Sequence, residues 1–153
     1  MTVSPKVSPY LWFDGQAEEA AEFYVSVFPN SRILSVSKTS SGPAKGGAVV
    51  EFEIDGQKIG AFDGGPMVKF TWAVSFVVYC DSQEEIDYFW ERLSEDGEPS
   101  QCGWLQDKYG LSWQVWPAVL PDLLESNGEA VMEALLTMGK LDIEELRRAA
   151  EGG

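Results

Sequence analysis

Histidine is absent from the 153 residues. With it go the commonest general base, the Ser-His and Cys-His nucleophile pairs and the commonest zinc ligand. Cysteine is scarce: Cys80 and Cys102 stand 22 positions apart (102 − 80 = 22), outside any Cys-x-x-Cys pair. Two lone thiols with no signal segment point to a reducing compartment, so a cytoplasmic location is expected. Positive charge is also short. Eleven Lys+Arg stand against twenty-five Asp+Glu, a net charge of −14. A nucleic-acid backbone or an anionic membrane surface calls for a basic face, so the expected partners include no nucleic acid and no membrane. The opening "MTVSPKVSPYLWF" has no apolar run of signal length, and no later run approaches a membrane span. Neither G-x-x-x-x-G-K nor G-x-G-x-x-G occurs. "FDGGP" at Phe62–Pro66 reads as a turn after a strand, not a phosphate loop.

What is there is an ordinary globular composition, 44% hydrophobic, with six tryptophans. The order of elements repeats. "YLWF" (Tyr10–Phe13) reads as a strand. "DGQAEEAAEFYVSVFP" reads as a helix with Ala17, Ala20, Ala21, Tyr24, Val27 and Phe28 on one stripe, ended by Pro29. "SRILSVSKT" and "GAVVEFEIDGQKIGAFDGG" follow, the second with Asp55-Gly56 as a hairpin signal. Then "TWAVSFVVYC" reads as a strand. "DSQEEIDYFWERLSEDG" reads as a helix opened by a Ser82/Glu85 capping box and stopped by Gly97. "SQCGWLQDK", a turn at Tyr109-Gly110 and "LSWQVWP" complete the copy. Glu18 and Glu84, Glu19 and Glu85, Phe23 and Phe89, and Tyr24 and Trp90 are each 66 apart (84 − 18, 85 − 19, 89 − 23, 90 − 24).

The expected fold is therefore α+β: two βαβββ repeats whose curved sheets form a trough, plus a C-terminal helical tail. The paired modules take residues 1–117, roughly 1–66 and 67–117, and the tail takes 118–153. In the tail, "LPDLLES", "GEAVMEALLTMGK" and "LDIEELRRAAEGG" read as short helices. Val131, Leu135 and Met138 share a stripe that needs a surface on the body or on a second subunit.

"PYLWFDGQAEEAAEFYVSVFPNS", "SFVVYCDSQEEIDYFWERLSEDGE", "QCGWLQDKYGLSWQV" and "VMEALLTMGKLDIEELRRA" resemble the PhnB-like branch of the vicinal oxygen chelate superfamily. That superfamily holds glyoxalase I, bleomycin-resistance proteins and extradiol dioxygenases, and many of the branch's members are labelled 3-demethylubiquinone-9 3-methyltransferase. The resemblance covers nearly the whole chain and implies a glyoxalase-like fold and a homodimer. It places Ser8, Gly60 (or Ala61), Ser75 (or Ala73) and Gln114 where the superfamily's enzymes hold a divalent metal. Only Gln114 is a credible ligand among them, so neither a catalytic metal nor any other cofactor is expected. No glycine-rich turn follows the first strand, as dinucleotide-like cofactors need.

Strand alternation sets the expected site. In "LSWQVW", Gln114 shares a face with Ser112 and Trp116, while Trp113 and Val115 face the other way. The trough side then carries Tyr10, Trp12, Ser75, Ser112, Gln114 and Trp116 as ligand-binding candidates. Leu11, Phe13, Phe76, Val78 and Trp113 pack beneath the helices. Two function classes fit. One is a metal-free protein that binds a small organic molecule, for which the acidic balance favours a cation. The other is an enzyme with glyoxalase-like lyase or isomerase chemistry, or the methyl transfer the family label implies. Its catalytic candidates are Asp63, Cys102, Asp107 and Tyr109 in acid-base roles, with Gln114 orienting the substrate.

Overall fold

The computed structural model describes residues 5–39 and 46–152; residues 1–4, 40–45 and 153, and with them the outer limits of the expected modules, lie outside it. The chain divides into two compact units, Met1–Phe70 and Thr71–Gly153.

The first unit holds β1 (Tyr10–Phe13), α1 (Ala17–Val27), β2 (Arg32–Lys38), β3 (Ala48–Ile54) and β4 (Gln57–Asp63), in a four-stranded sheet of order β1-β4-β3-β2. Its β3–β4 hairpin turns through Asp55 and Gly56, both left-handed at φ 49° and 80°. That is the type I′ conformation the Asp-Gly pair favours, and it sets the register Ile54↔Gln57. Helix α1 has no side-chain cap from its own N-terminal residues. The cap comes instead from Asp63, at the end of β4. Its Oδ1 accepts from the Ala17 N–H at 2.8 Å and its Oδ2 from the Ala48 N–H at 2.9 Å. One buried carboxylate thus ties helix start, β3 start and β4 end together. Ala17, Ala20, Ala21, Tyr24 and Val27 are buried against the sheet, where Leu11, Phe13, Val50, Phe52, Ile59 and Ala61 meet them.

The second unit repeats the plan with β5 (Ser75–Cys80), α2 (Gln83–Ser94), β6 (Glu98–Pro99), β7 (Trp104–Gln106) and β8 (Ser112–Pro117), ordered β5-β8-β7-β6. In both units the first strand runs parallel to the last. The helices begin 66 residues apart (83 − 17 = 66), the offset read from the sequence. Ser82 Oγ accepts from the Glu85 N–H, as a capping box requires. The return bond is shifted by one residue, because Glu85 accepts from the Asp81 N–H at 2.6 Å. The end of α2 differs from expectation. Asp96, not Gly97, takes the left-handed conformation at φ 58°. Gly97 is needed for closeness: a Cβ there would lie 2.3 Å from the Gln106 carbonyl oxygen.

The tail belongs to this second unit. Helix α3 (Leu120–Leu135) breaks at Asn127, and α4 (Ile143–Ala150) starts on an Asp142 cap, so three helical pieces form as expected. Val131 and Met138 are buried with Leu120, Leu141 and Leu146, and Leu135 and Trp116 pack against them. The stripe is therefore covered within one chain, which removes it as a reason for a second subunit. Gln83 clamps the tail to α2, donating to the Leu141 carbonyl at 2.9 Å and accepting from the Ile143 N–H at 2.9 Å.

Candidate functional site

Each sheet has one face against its helix and one face away from it. In the first unit the away face carries aromatics. Tyr10, 57% exposed, and the half-buried Trp12 both pack against Phe62, with ring centroids at 5.5 and 4.9 Å. Glycine makes this arrangement possible. A Cβ on Gly60 would meet the Tyr10 ring at 2.4 Å, and one on Gly64 the Trp12 ring at 2.3 Å. Trp12 is then held by its indole N–H, which donates to the Gly65 carbonyl at 2.9 Å. Sequence alternation found Tyr10 and Trp12 but missed Phe62, which pairs with Trp12 across β1–β4. Gly60, one of the positions matched to a metal ligand, has no side chain and lies under the Tyr10 ring.

In the second unit the pairings Ser75↔Ser112, Gln106↔Ser112 and Glu98↔Gln106 set a polar row across the sheet. The next row runs Val77, Gln114, Trp104. Gln114 is half-buried and its Nε2 donates to Ser75 Oγ at 2.9 Å. Nothing among the described residues donates to its Oε1. Ser112 is fully buried and its Oγ has no hydrogen-bond partner among the described residues. It lines a cavity of about 260 Å³ together with Trp72, Glu98, Ser100, Trp104 and Gln106. Trp72 stands edge-on to Trp104, centroids 6.3 Å apart. Trp116 lies at the far end of this face, edge-on to Tyr79 at 6.0 Å and packed against the tail cluster. On the helix side, Trp113 is 2% exposed and meets Phe76 edge-on at 5.2 Å.

The structure does not bring the acid-base candidates together around an open site. Asp63 is buried and spends both oxygens on backbone N–H groups. Asp107, 3% exposed, accepts from the N–H groups of Tyr109 and Leu111 and from the Trp113 indole. Tyr109 sits in the turn this carboxylate organises, with the Lys108 ammonium 5.7 Å from its ring centre. Cys102 is half-buried in a left-handed turn at φ 60°, and its N–H donates to the Met138 carbonyl. Burial, aided by the charges of Glu85 and Asp81, pushes the Cys80 thiol up to about 12. Disulfide-exchange reagents act on thiolate. One thiol, Cys102, should therefore react with a chromogenic disulfide at pH 8, and the second only after denaturation. Two fast equivalents in the folded protein would contradict this burial.

The donor set matched to the superfamily's metal does not fit a divalent ion. Among the described residues no group of three or more Cys, Asp or Glu converges. Gln114 and Ser75 already bond each other, and a neutral amide and hydroxyls replace metal-bound water poorly.

Residues 5–116 match the family model described as 3-demethylubiquinone-9 3-methyltransferase. The chain belongs to that family. It is the PhnB-like branch of the vicinal oxygen chelate superfamily. A Bacillus cereus structure described as a putative 3-demethylubiquinone-9 3-methyltransferase, PhnB protein, is 37% identical over 72% of this chain and 97% of its own, with a TM-score of 0.66. Two more distant structures share the fold. A Pseudomonas aeruginosa protein is 19% identical (TM-score 0.64, covering 74% of this chain and 98% of its own). The fosfomycin resistance protein FosX of Listeria monocytogenes is 17% identical (TM-score 0.60, covering 80% and 98%). No curated protein matches the chain. The family's two-module α+β plan is thus present here, and no described helix is long and apolar enough to cross a membrane.

Proposed function

We propose that this family member binds a small organic molecule on the away face of its second sheet, without a catalytic metal. The observation that carries the reading is the unpaired Ser112 hydroxyl at a cavity walled by two indoles. Burying a hydroxyl without a partner costs about 1–3 kcal/mol, so a site that does so is expected to supply the partner from outside. The cavity sits just under the roughly 300 Å³ at which small-molecule sites begin. In the neighbouring row, beside Trp104 and outside the cavity lining, Gln114 adds an amide oxygen open to a donor. The half-exposed rings of Tyr10, Trp12 and Phe62 offer a second apolar surface for a planar ligand. The pairing into a homodimer that the resemblance implies belongs to this reading too, and light scattering at the monomer mass would remove it.

Gln114→Ala tests the site. Its amide is half-solvated, so the substitution should cost under about 1 kcal/mol in a thermal melt. It should also weaken retention of whatever organic molecule co-purifies by about tenfold, the loss of one good hydrogen bond. Unchanged retention would remove Gln114 from the site and leave only the cavity lined by Ser112.

A further inference from the structure

Resting on that reading, we infer that the cavity of the second unit takes an organic cation, an ammonium or quaternary ammonium group on a ligand that also carries a hydrogen-bonding group. Three observations on the cavity wall converge. The first is aromatic. Trp72 and Trp104 stand edge-on at 6.3 Å, so two π-systems border one space, and indole is the best cation–π partner. The second is charge. Among the described residues Glu98 supplies the only charged group on the wall, no Lys or Arg lines it, and Glu98 forms no ion pair. An anionic ligand would meet a carboxylate with no cation to offset it, whereas an ammonium finds one. The third is the polar row. Glu98 and Ser112 are separated by one strand, Gln106 of β7. Strand spacing of about 4.8 Å therefore puts the acceptor end and the orphaned hydroxyl roughly 10 Å apart. A molecule with its cationic head at Glu98 and a carbonyl or hydroxyl several bonds away meets both. The chain's net charge of −14 adds a long-range field that draws in cations and repels anions.

Choline and its neutral isostere, the alcohol in which carbon replaces nitrogen, probe the cationic end. Their contact is read from the indole N–H signals of Trp72 and Trp104 in nitrogen-edited NMR spectra, assigned with Trp72→Phe and Trp104→Phe. Choline should shift both signals, with an affinity about tenfold above that of the isostere. Glu98→Gln should weaken choline about threefold to tenfold and leave the isostere unchanged. Trp72→Ala should abolish the preference; Trp72 is 73% exposed, so the fold does not depend on it. Equal affinities for choline and the isostere would overturn the cation and leave the binding reading standing. If neither compound shifts either signal, the cation is overturned as well. If Ser112→Ala and Trp72→Ala then also fail to displace the molecule that co-purifies, the cavity itself falls as the site.

Discussion

Trp113→Ala should lower the stability of this protein by about 3–5 kcal/mol, the cost of emptying a large buried ring site. For a domain of this size that is a fall in melting temperature of roughly 6–20 °C. The ring is 2% exposed, it packs edge-on against Phe76, and its indole N–H donates to Asp107 Oδ2 at 2.9 Å. The loss is therefore a cavity plus an unsatisfied acceptor. Chemical denaturation measures it, and a melt close to wild type would mean that β8 is turned over and that the face carrying Gln114 has been misassigned. Because Gln114 lies one residue along the strand, the pair Trp113→Ala and Gln114→Ala separates the two faces: a large loss for the first, a small one for the second.

Asp107→Ala should be comparably damaging, at about 3–6 kcal/mol. Its carboxylate accepts from Tyr109 at 2.9 Å, from Leu111 at 3.1 Å and from the Trp113 indole at 2.9 Å. Each donor left buried and unpaired costs about 1–3 kcal/mol, with some relief where the turn opens to water. Asp107→Asn keeps the shape and one acceptor oxygen, so it should lose only part of this. The two positions share a hydrogen bond. The double variant with Trp113→Ala should therefore fall short of the sum of the singles. If Asp107→Ala unfolds at the wild-type denaturant concentration, the carboxylate is not the node of this turn and an acid-base role for it becomes the better reading.

Much of the architecture could be read from local chemistry. Asp55-Gly56 needs two left-handed residues between alternating apolar positions, and only a tight hairpin supplies that. Ser82, with Glu85 three residues on, announces the helix that starts at Gln83. The alternation in "SWQVW" separates Trp113 from Gln114, and burial follows the same alternation, with Trp113 at 2% exposure and Gln114 half-buried. What escaped the sequence was mostly non-local. Asp63 caps a helix 46 residues earlier in the chain, a bond no window of local pattern contains. Gly97 looked like a helix stop because glycine usually is one, yet its role is to let α2's exit pass against the Gln106 carbonyl while Asp96 makes the turn. Phe62 was hidden by its place in "FDGGP", read as a turn, although β4 extends through Asp63. The cavity was least legible. Trp72 precedes β5, and Glu98 lies in a strand of two residues, too short for alternation to register. Only the pairing of β6, β7 and β8 places Glu98, Gln106 and Ser112 in one row.

The second sheet's away face is proposed to hold an organic molecule and no catalytic metal. A native mass spectrum of untagged protein, purified without chelator and compared with the same sample denatured, tests it most directly. The expected result is a mass excess in the folded protein that is released on unfolding as an organic compound, with no divalent ion retained. A folded protein carrying one equivalent of a transition metal, or one whose native mass equals the mass of the bare chain or of its bare dimer, would contradict it.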